Sequence, residues 1–191
     1  MGKIFMHLKI ITCNTFLIGL LMFNTACSTT NTNIKPSSES KLSTIINNKQ
    51  SMTVALKKLN NNFSVNLLYS GIESDCYKRL VALKLESTTV LVAVSSTKIT
   101  NQTFLNILSS SSSSSIGLKL FAPNSQIKRD PNMDIKYIEI SQISSLILQR
   151  YLISLNYKLN QTIIQRTSTF YYKNESMKLF EYILPSINQF I

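Results

Sequence analysis

Apolar and polar residues alternate along the chain with two different periods. A period of two residues, or a run of β-branched residues, predicts strands over residues 63–70, 78–85, 89–97, 134–140, 162–172 and 177–184. Helical spacing predicts helices over residues 51–60 and 103–108, and residues 116–121 place several apolar groups in one turn. Both periods fit residues 144–155, so the pattern does not decide between helix and strand there.

Short polar turns join the second predicted strand to the third and the last two strands to each other, so each pair predicts a hairpin. The sum is an antiparallel sheet with a few short flanking helices, which is the α+β fold class. Arg79 lies on the more apolar face of its strand, the face that also carries Val81 and Leu83. The seven consecutive serines at 109–115 offer no side chain that could build a core, and they predict a loose loop.

The first 26 residues have the pattern of an export signal. Lys3 and Lys9 precede an apolar run at 10–23, which is shorter than the roughly 20 residues of a spanning helix. The cysteine at position 27 resembles that of a bacterial lipoprotein signal, although Asn24 stands where such signals usually have Leu. The resemblance implies a lipid on Cys27, and Ser28 implies the periplasmic face of the outer membrane. Plain secretion and an uncleaved start are the alternatives.

This interpretation divides the chain into a signal at 1–26, a lipidated cysteine with a polar, flexible tether at 27–50, and one domain at 51–191. The formal net charge is +11, and the two lysines of the signal leave +9 for the rest. A basic domain favours anionic partners, such as lipid headgroups or a small acidic ligand, unless the charges are only a solvated surface. Nucleic acid fits an exported protein poorly, and a protein partner is left unspecified.

The rare residue types exclude several kinds of chemistry. His7 is the only histidine and lies in the signal, so the domain has no His-based nucleophile and lacks the commonest zinc ligand. We therefore expect no metal site. Cys13 and Cys27 belong to the signal and the lipid, which leaves Cys76 without a disulfide partner. Cys76 is an apolar filler or, alternatively, a reactive thiol.

Three stretches in this order resemble the chorismate lyase–like superfamily, which also includes the ligand-binding domains of some transcription regulators. They are residues 51–71, residues 78–100 continuing to 116–121 and 127–130, and residues 166–187. The last stretch resembles the closing hairpin of the family most specifically, although Ile183 stands where the family has Phe. The serine run replaces the segment that edges the pocket in the family enzymes.

The resemblance implies roles for three residues. Arg79 would bind the carboxylate of the substrate, Glu181 would face the opposite, oxygen-bearing end, and Ile116 would line the pocket. The implied reaction is the loss of pyruvate from chorismate to leave 4-hydroxybenzoate, with Arg79 and Glu181 as the catalytic residues and no cofactor. The alternative is a non-catalytic periplasmic lipoprotein that uses the same fold to bind a small ligand or a protein.

Other roles for these residues stay open. Arg79 could be a surface residue at a sheet edge, and Glu181 could pair with a neighbouring Lys or Arg. Lys98, Arg129 and Arg166 are possible further contacts to an anion, or solvated charges.

Overall fold

The computed structural model describes residues 38–111 and 114–191. Everything below concerns the compact unit Pro36–Ile191 within these described ranges. The predicted signal, Cys27 and residues 28–37 of the predicted tether lie outside the described residues.

One antiparallel sheet organises the described part of the chain, and its seven strands run in the order β1-β2-β3-β7-β6-β4, with β5 also pairing with β6. The strands are β1 (Phe63–Glu73), β2 (Cys76–Leu85), β3 (Thr88–Lys98), β4 (Lys128–Arg129), β5 (Asp134–Glu139), β6 (Thr162–Tyr172) and β7 (Glu175–Ile183). The predicted α+β class is confirmed. Strand β1 continues beyond its predicted end, because Gly71 stays paired with Lys78.

Short helices flank the sheet. They are α1 (Ser38–Ile46), α2 (Met52–Leu59), α3 (Gln102–Ser109), α4 (Gly117–Leu120) and α5 (Leu146–Ser154), with 3-10 turns at Ile140–Gln142 and Pro185–Phe190. Residues 144–155, where helix and strand competed, contain α5. Its first turn is capped because the Ser145 hydroxyl accepts a hydrogen bond from the Leu148 N–H at 3.3 Å. No helix in the described part of the chain has the length and apolar character needed to cross a membrane.

The two faces of the sheet bury two separate cores. The inner face, which carries Arg79 and Val81, packs against apolar residues of the first four helices, among them Leu56 and Phe104. The outer face carries Leu80, Val92 and Tyr182, which pack against Leu148 and Leu152 of α5. The sheet therefore lies between two helical layers, and its central strands are buried on both sides.

The prediction of a flexible tether is wrong for residues 38–50. Helix α1 buries Ile45 and Ile46 in the inner core, each only 7% exposed. The backbone that follows is held by arginines, since Arg166 Nη1 donates to the Asn48 carbonyl at 2.8 Å and Arg129 Nη1 donates to the Lys49 carbonyl at 2.9 Å. The helical spacing of Leu42, Ile45 and Ile46 was present in the sequence, but the surrounding Ser and Asn residues outweighed it.

The serine run also differs from its prediction. Ser109 ends α3, and Ser111 is fully buried with its hydroxyl donating to the Ile107 carbonyl at 2.7 Å. Residues 112 and 113 lie outside the described ranges. The expectation of a loose loop is therefore wrong at Ser109 and Ser111. A serine that bonds backbone is ordered without any apolar side chain.

Candidate functional site

Cross-strand pairing assembles the site on the inner face of the sheet. One row runs across four strands through Arg79 of β2, Ser95 of β3, Leu179 of β7 and Ser168 of β6. The neighbouring row runs through Val81, Ala93, Glu181 and Arg166. Directly opposed residues of antiparallel strands point to the same face and lie close together, so register alone places two charged rows side by side.

A pocket lies between these rows and the helices α2 and α4. All three predicted site residues, Arg79, Ile116 and Glu181, line it, together with Arg129 and Arg166. The cavity volume is about 40 Å³, within about 500 Å³ of empty space that includes solvent at the mouth. A buried water needs at least about 10–15 Å³ by this measure, so the cavity holds roughly three waters.

Arg79 is a buried cation without an acidic partner. The residue is 1% exposed, and its Nη2 donates to the carbonyl oxygens of Ser111 at 2.5 Å and Ser114 at 2.8 Å. Its Nε is buried with no hydrogen-bond partner, and no ion pair among the described residues includes it. Burial lowers the pKa of Arg79, and Tyr77 offsets this only in part. The alternative of a surface residue at a sheet edge is wrong, because β2 lies between β1 and β3.

Glu181 is paired, as the alternative interpretation of this residue proposed. Arg166 donates to its Oε2 from both Nε and Nη2 at 2.7 Å, and the side chains are only 2% and 6% exposed. This ion pair carries no net charge and engages one carboxylate oxygen fully. Glu181 therefore faces its own arginine, and no other carboxyl lines the pocket among the residues that the structure describes.

Arg129 adds a second guanidinium that lacks a carboxylate, and this residue is half-buried. It lies on β4 opposite Phe170, with its Cζ 5.9 Å from the ring centroids of Phe121 and Phe170. Its Nη2 donates to the Ser168 hydroxyl, while its Nε is buried and unpartnered. Burial and the positive charge of Arg166 lower the pKa of Arg129, and Glu181 partly opposes them. A strand of two residues has no detectable period, so the sequence suggested Arg129 only as one of several possible anion contacts.

The first turn of α2 forms another wall of the pocket. Ser51, Met52 and Thr53 are each at most 4% exposed, and the Ser51 hydroxyl has no partner. The Thr53 and Ser115 hydroxyls bond each other, and a Cβ on Gly117 would overlap the Ser51 hydroxyl. The first N–H groups of a helix have no partner within the helix and carry partial positive charge. This wall therefore adds hydroxyl and amide donors beside Arg79.

The balance of charge in the pocket is positive. Its charged lining consists of Arg79, Arg129, Arg166 and Glu181, which leaves two positive charges in excess. The uncharged lining combines serine and threonine hydroxyls with apolar side chains, among the latter Leu120, Phe121 and Leu179. Within the described ranges no three residues of the types His, Cys, Asp and Glu cluster as a metal site would require. The arrangement suits an anion with an apolar body.

Comparisons with known proteins find similarity only at the level of structure. No family model matches the chain, and no curated protein matches it by sequence. The effector domain of PhnF from Mycobacterium smegmatis is similar with a TM-score of 0.49 and 9% identity, over 72% of this chain and 90% of that one. The C-terminal domain of the histidine utilization repressor from Pseudomonas syringae has a TM-score of 0.43 and 8% identity, over 65% and 92%. A domain described as the ligand-binding domain of a GntR-family transcriptional regulator from Bordetella bronchiseptica has a TM-score of 0.45 and 10% identity, over 65% and 87%.

These findings correct the expected family. The similar structures named here are an effector domain, a domain of a repressor and a domain of a transcriptional regulator, and none of them is a chorismate lyase. The prediction of a chorismate lyase preceded by a lipoprotein signal is therefore withdrawn, and so are the lyase and periplasmic lipoprotein interpretations that depended on it. At 8–10% identity the likeness concerns the fold and assigns no ligand.

Proposed function

We propose that the pocket on the inner face binds a small organic anion, and that the domain is a ligand-binding module. The observation that carries the proposal is the pair of guanidiniums, buried Arg79 and half-buried Arg129, that have no carboxylate partner. Removing an ion from water costs several kcal/mol unless a counter-charge offsets it. An anionic ligand would supply that counter-charge, so the unpaired arginines are explained by what they bind.

The donors around Arg79 favour a carboxylate. A planar guanidinium forms two parallel hydrogen bonds with a carboxylate, and the first turn of α2 adds amide and hydroxyl donors close by. In the observed state the carbonyls of Ser111 and Ser114 take the Nη2 donors of Arg79. The ligand oxygens would replace these carbonyls, which are weaker acceptors because they carry no formal charge.

The apolar lining favours a flat, ring-containing body for the ligand. Val81, Leu120 and Leu179 line the pocket together with the two guanidiniums, and the rings of Phe121 and Phe170 meet edge to face at 5.7 Å. A cavity of about 150 Å³ is known to accept a benzene ring, whereas this one measures about 40 Å³. Binding must therefore widen the pocket, and the exchange of carbonyls for ligand oxygens at Arg79 is the step that would allow it.

Binding is better supported than catalysis because of the state of Glu181. The carboxylate is held by Arg166 through two contacts to one oxygen, so its charge is already balanced. A general acid needs a proton to give and a free path to the ligand. The ion pair of Arg166 and Glu181 instead suits a structural role in the pocket wall. Because the pair is neutral, the net positive charge of the pocket comes from Arg79 and Arg129.

The proposal is tested with 4-hydroxybenzoate as the probe. Calorimetric titration of the full-length protein should detect binding, and Arg79→Ala should weaken it. A charge-assisted hydrogen bond contributes about 1.5–3 kcal/mol, so affinity should fall roughly 10- to 100-fold. Arg79→Lys should recover only part of the loss, because an ammonium cannot reproduce the planar fork.

A matched control separates the site from the general positive charge of the domain. Lys98 is an exposed cation at the end of β3 and does not line the pocket, so Lys98→Ala removes the same charge elsewhere. Affinity should be unchanged in that variant. Equal losses in Arg79→Ala and Lys98→Ala, or no binding by the unmodified protein, would contradict the proposed function.

A further inference from the structure

A second cavity lies on the outer face of the sheet, beyond the N-terminal end of α5. Val94, Phe180 and Tyr182 form its floor, and residues 142–147 form its wall. Its volume is about 470 Å³, more than ten times that of the inner pocket. Sites for small molecules measure about 300–1,000 Å³, so this cavity has the size of a ligand site without any rearrangement.

The hydroxyl of Tyr182 is a free donor in this cavity. The residue is 6% exposed, and its hydroxyl makes no hydrogen bond within the described part of the chain. Burial raises the pKa of Tyr182 to about 12, so the group stays protonated at neutral pH and can donate. The hydroxyl is accessible from the cavity and not a buried orphan, so its proton is available to a ligand acceptor there.

The cavity carries no excess charge. Its only charged lining residues are Glu73 and Lys78, which pair with each other at 2.6 Å at the rim. The remaining polar residues are uncharged, and they are Ser96, Gln142, Ser144, Ser145 and Gln165. This lining differs in kind from that of the inner pocket, where two arginines are unbalanced.

Apolar side chains at the opening extend the surface that a ligand could cover. Leu146 is 65% exposed and Ile147 is 39% exposed, both in the first turn of α5, and both line the cavity with Ile143. Exposed leucine and isoleucine beside an apolar floor are costly in water, and a bound apolar molecule would remove that cost. The two residues therefore define the entry side of the site.

We infer that the outer cavity binds an uncharged, largely apolar molecule that accepts a hydrogen bond from Tyr182. The site is separate from the inner pocket, since the sheet lies between them and they share no lining residue. It does not depend on the function proposed for that pocket. One domain would then hold an anion on one face of the sheet and a neutral molecule on the other.

Methyl 4-hydroxybenzoate is a suitable probe, because it matches the anionic probe in its ring and lacks its charge. Ligand-detected NMR titration of the full-length protein should show binding. Tyr182→Phe should lower affinity about fivefold, the value of one neutral hydrogen bond. Leu146→Glu should lower it further, because it removes apolar surface at the entry and introduces a charge. Leu146 is exposed, so that variant should keep its fold even if Tyr182→Phe does not.

Two controls make the result specific. Tyr137→Phe removes a hydroxyl from a tyrosine that is 72% exposed and does not line the cavity, and binding of the ester should be unchanged. Arg79→Ala should also leave it unchanged, whereas it weakens the anionic probe. If the Arg79→Ala variant no longer bound the ester, the ester would be assigned to the inner pocket and the inference would be overturned. No binding, or binding that neither Tyr182→Phe nor Leu146→Glu alters, would overturn it as well.

Discussion

Arg79 and Arg166 are equally buried, yet they have opposite consequences for the folded state. Each is 1% exposed, and they belong to neighbouring rows of the inner face. Arg166 has a carboxylate partner, whereas Arg79 has only carbonyls and an unpartnered Nε. Stability and ligand binding are therefore expected to separate at these two positions. If Arg79 serves the proposed binding function, we expect it to be kept at a cost in stability.

We expect Arg79→Met to raise the free energy of unfolding by about 1 kcal/mol, because it replaces an unbalanced buried charge with an apolar chain of similar length. The same substitution at Arg166 should lower the free energy of unfolding by about 3–5 kcal/mol, since Glu181 is left buried without its partner. Urea unfolding of both variants measures the difference. Destabilisation of similar size at both positions would show that Arg79 is a structural residue.

At the scale of elements, the hairpins of the sheet place ordinary residues in left-handed backbone. The turns after β1, β2 and β6 begin at Ser74, Glu86 and Lys173, with φ of 57°, 56° and 51°. Two-residue hairpin turns require positive φ, which Gly and Asn adopt more readily than Ser, Glu or Lys. Pairing between the strands therefore stabilises these hairpins, whereas the positive φ of their turn residues destabilises them.

Lys173→Asn should stabilise the β6–β7 hairpin, because asparagine tolerates a φ of 51° better than lysine. We expect a gain of about 0.5–1 kcal/mol, seen as a higher urea midpoint with an unchanged slope. Lys178→Asn is the matched control, since Lys178 is exposed in the middle of β7 with extended backbone. A gain of equal size at Lys178 would assign the effect to charge and not to the turn.

At the scale of the whole molecule, the folded unit begins before the segment in which the sequence places its start. Helix α1 contributes Ile45 and Ile46 to the inner core, and the residues after it accept hydrogen bonds from Arg129 and Arg166. The unit therefore extends over Pro36–Ile191. Because both arginines line the pocket, the segment that follows α1 is hydrogen-bonded to two residues of the pocket wall.

A chain shortened to residues 51–191 should be less stable than one that starts at residue 36. Burial of one isoleucine side chain contributes about 1.5–3 kcal/mol, so the loss of Ile45 and Ile46 should cost about 3–6 kcal/mol before the arginine contacts are counted. Urea unfolding of the two chains gives the comparison. Equal midpoints would show that α1 adds nothing to the fold and that the predicted domain boundary was right.

Local patterns were sufficient to predict most of the sheet. Strands β2, β3, β6 and β7 lie within two residues of their predictions at each end, because alternating apolar residues or a run of β-branched residues mark them in the sequence. Helix α1 and strand β4 were missed for different reasons. The three apolar residues of α1 are surrounded by Ser and Asn, and the two residues of β4 are too few to show any period.

The sequence by itself determined the fold class, the strand that carries Arg79 and the basic character of the domain, because periodicity and charge are properties of the chain. The tertiary structure decided which charges are balanced. Glu181 and Arg166 pair through the register of β6 and β7, and Arg79 lacks a carboxylate because the row that contains it offers only Ser95, Leu179 and Ser168. Partners of this kind are fixed by contacts between residues far apart in the chain, which no local pattern encodes.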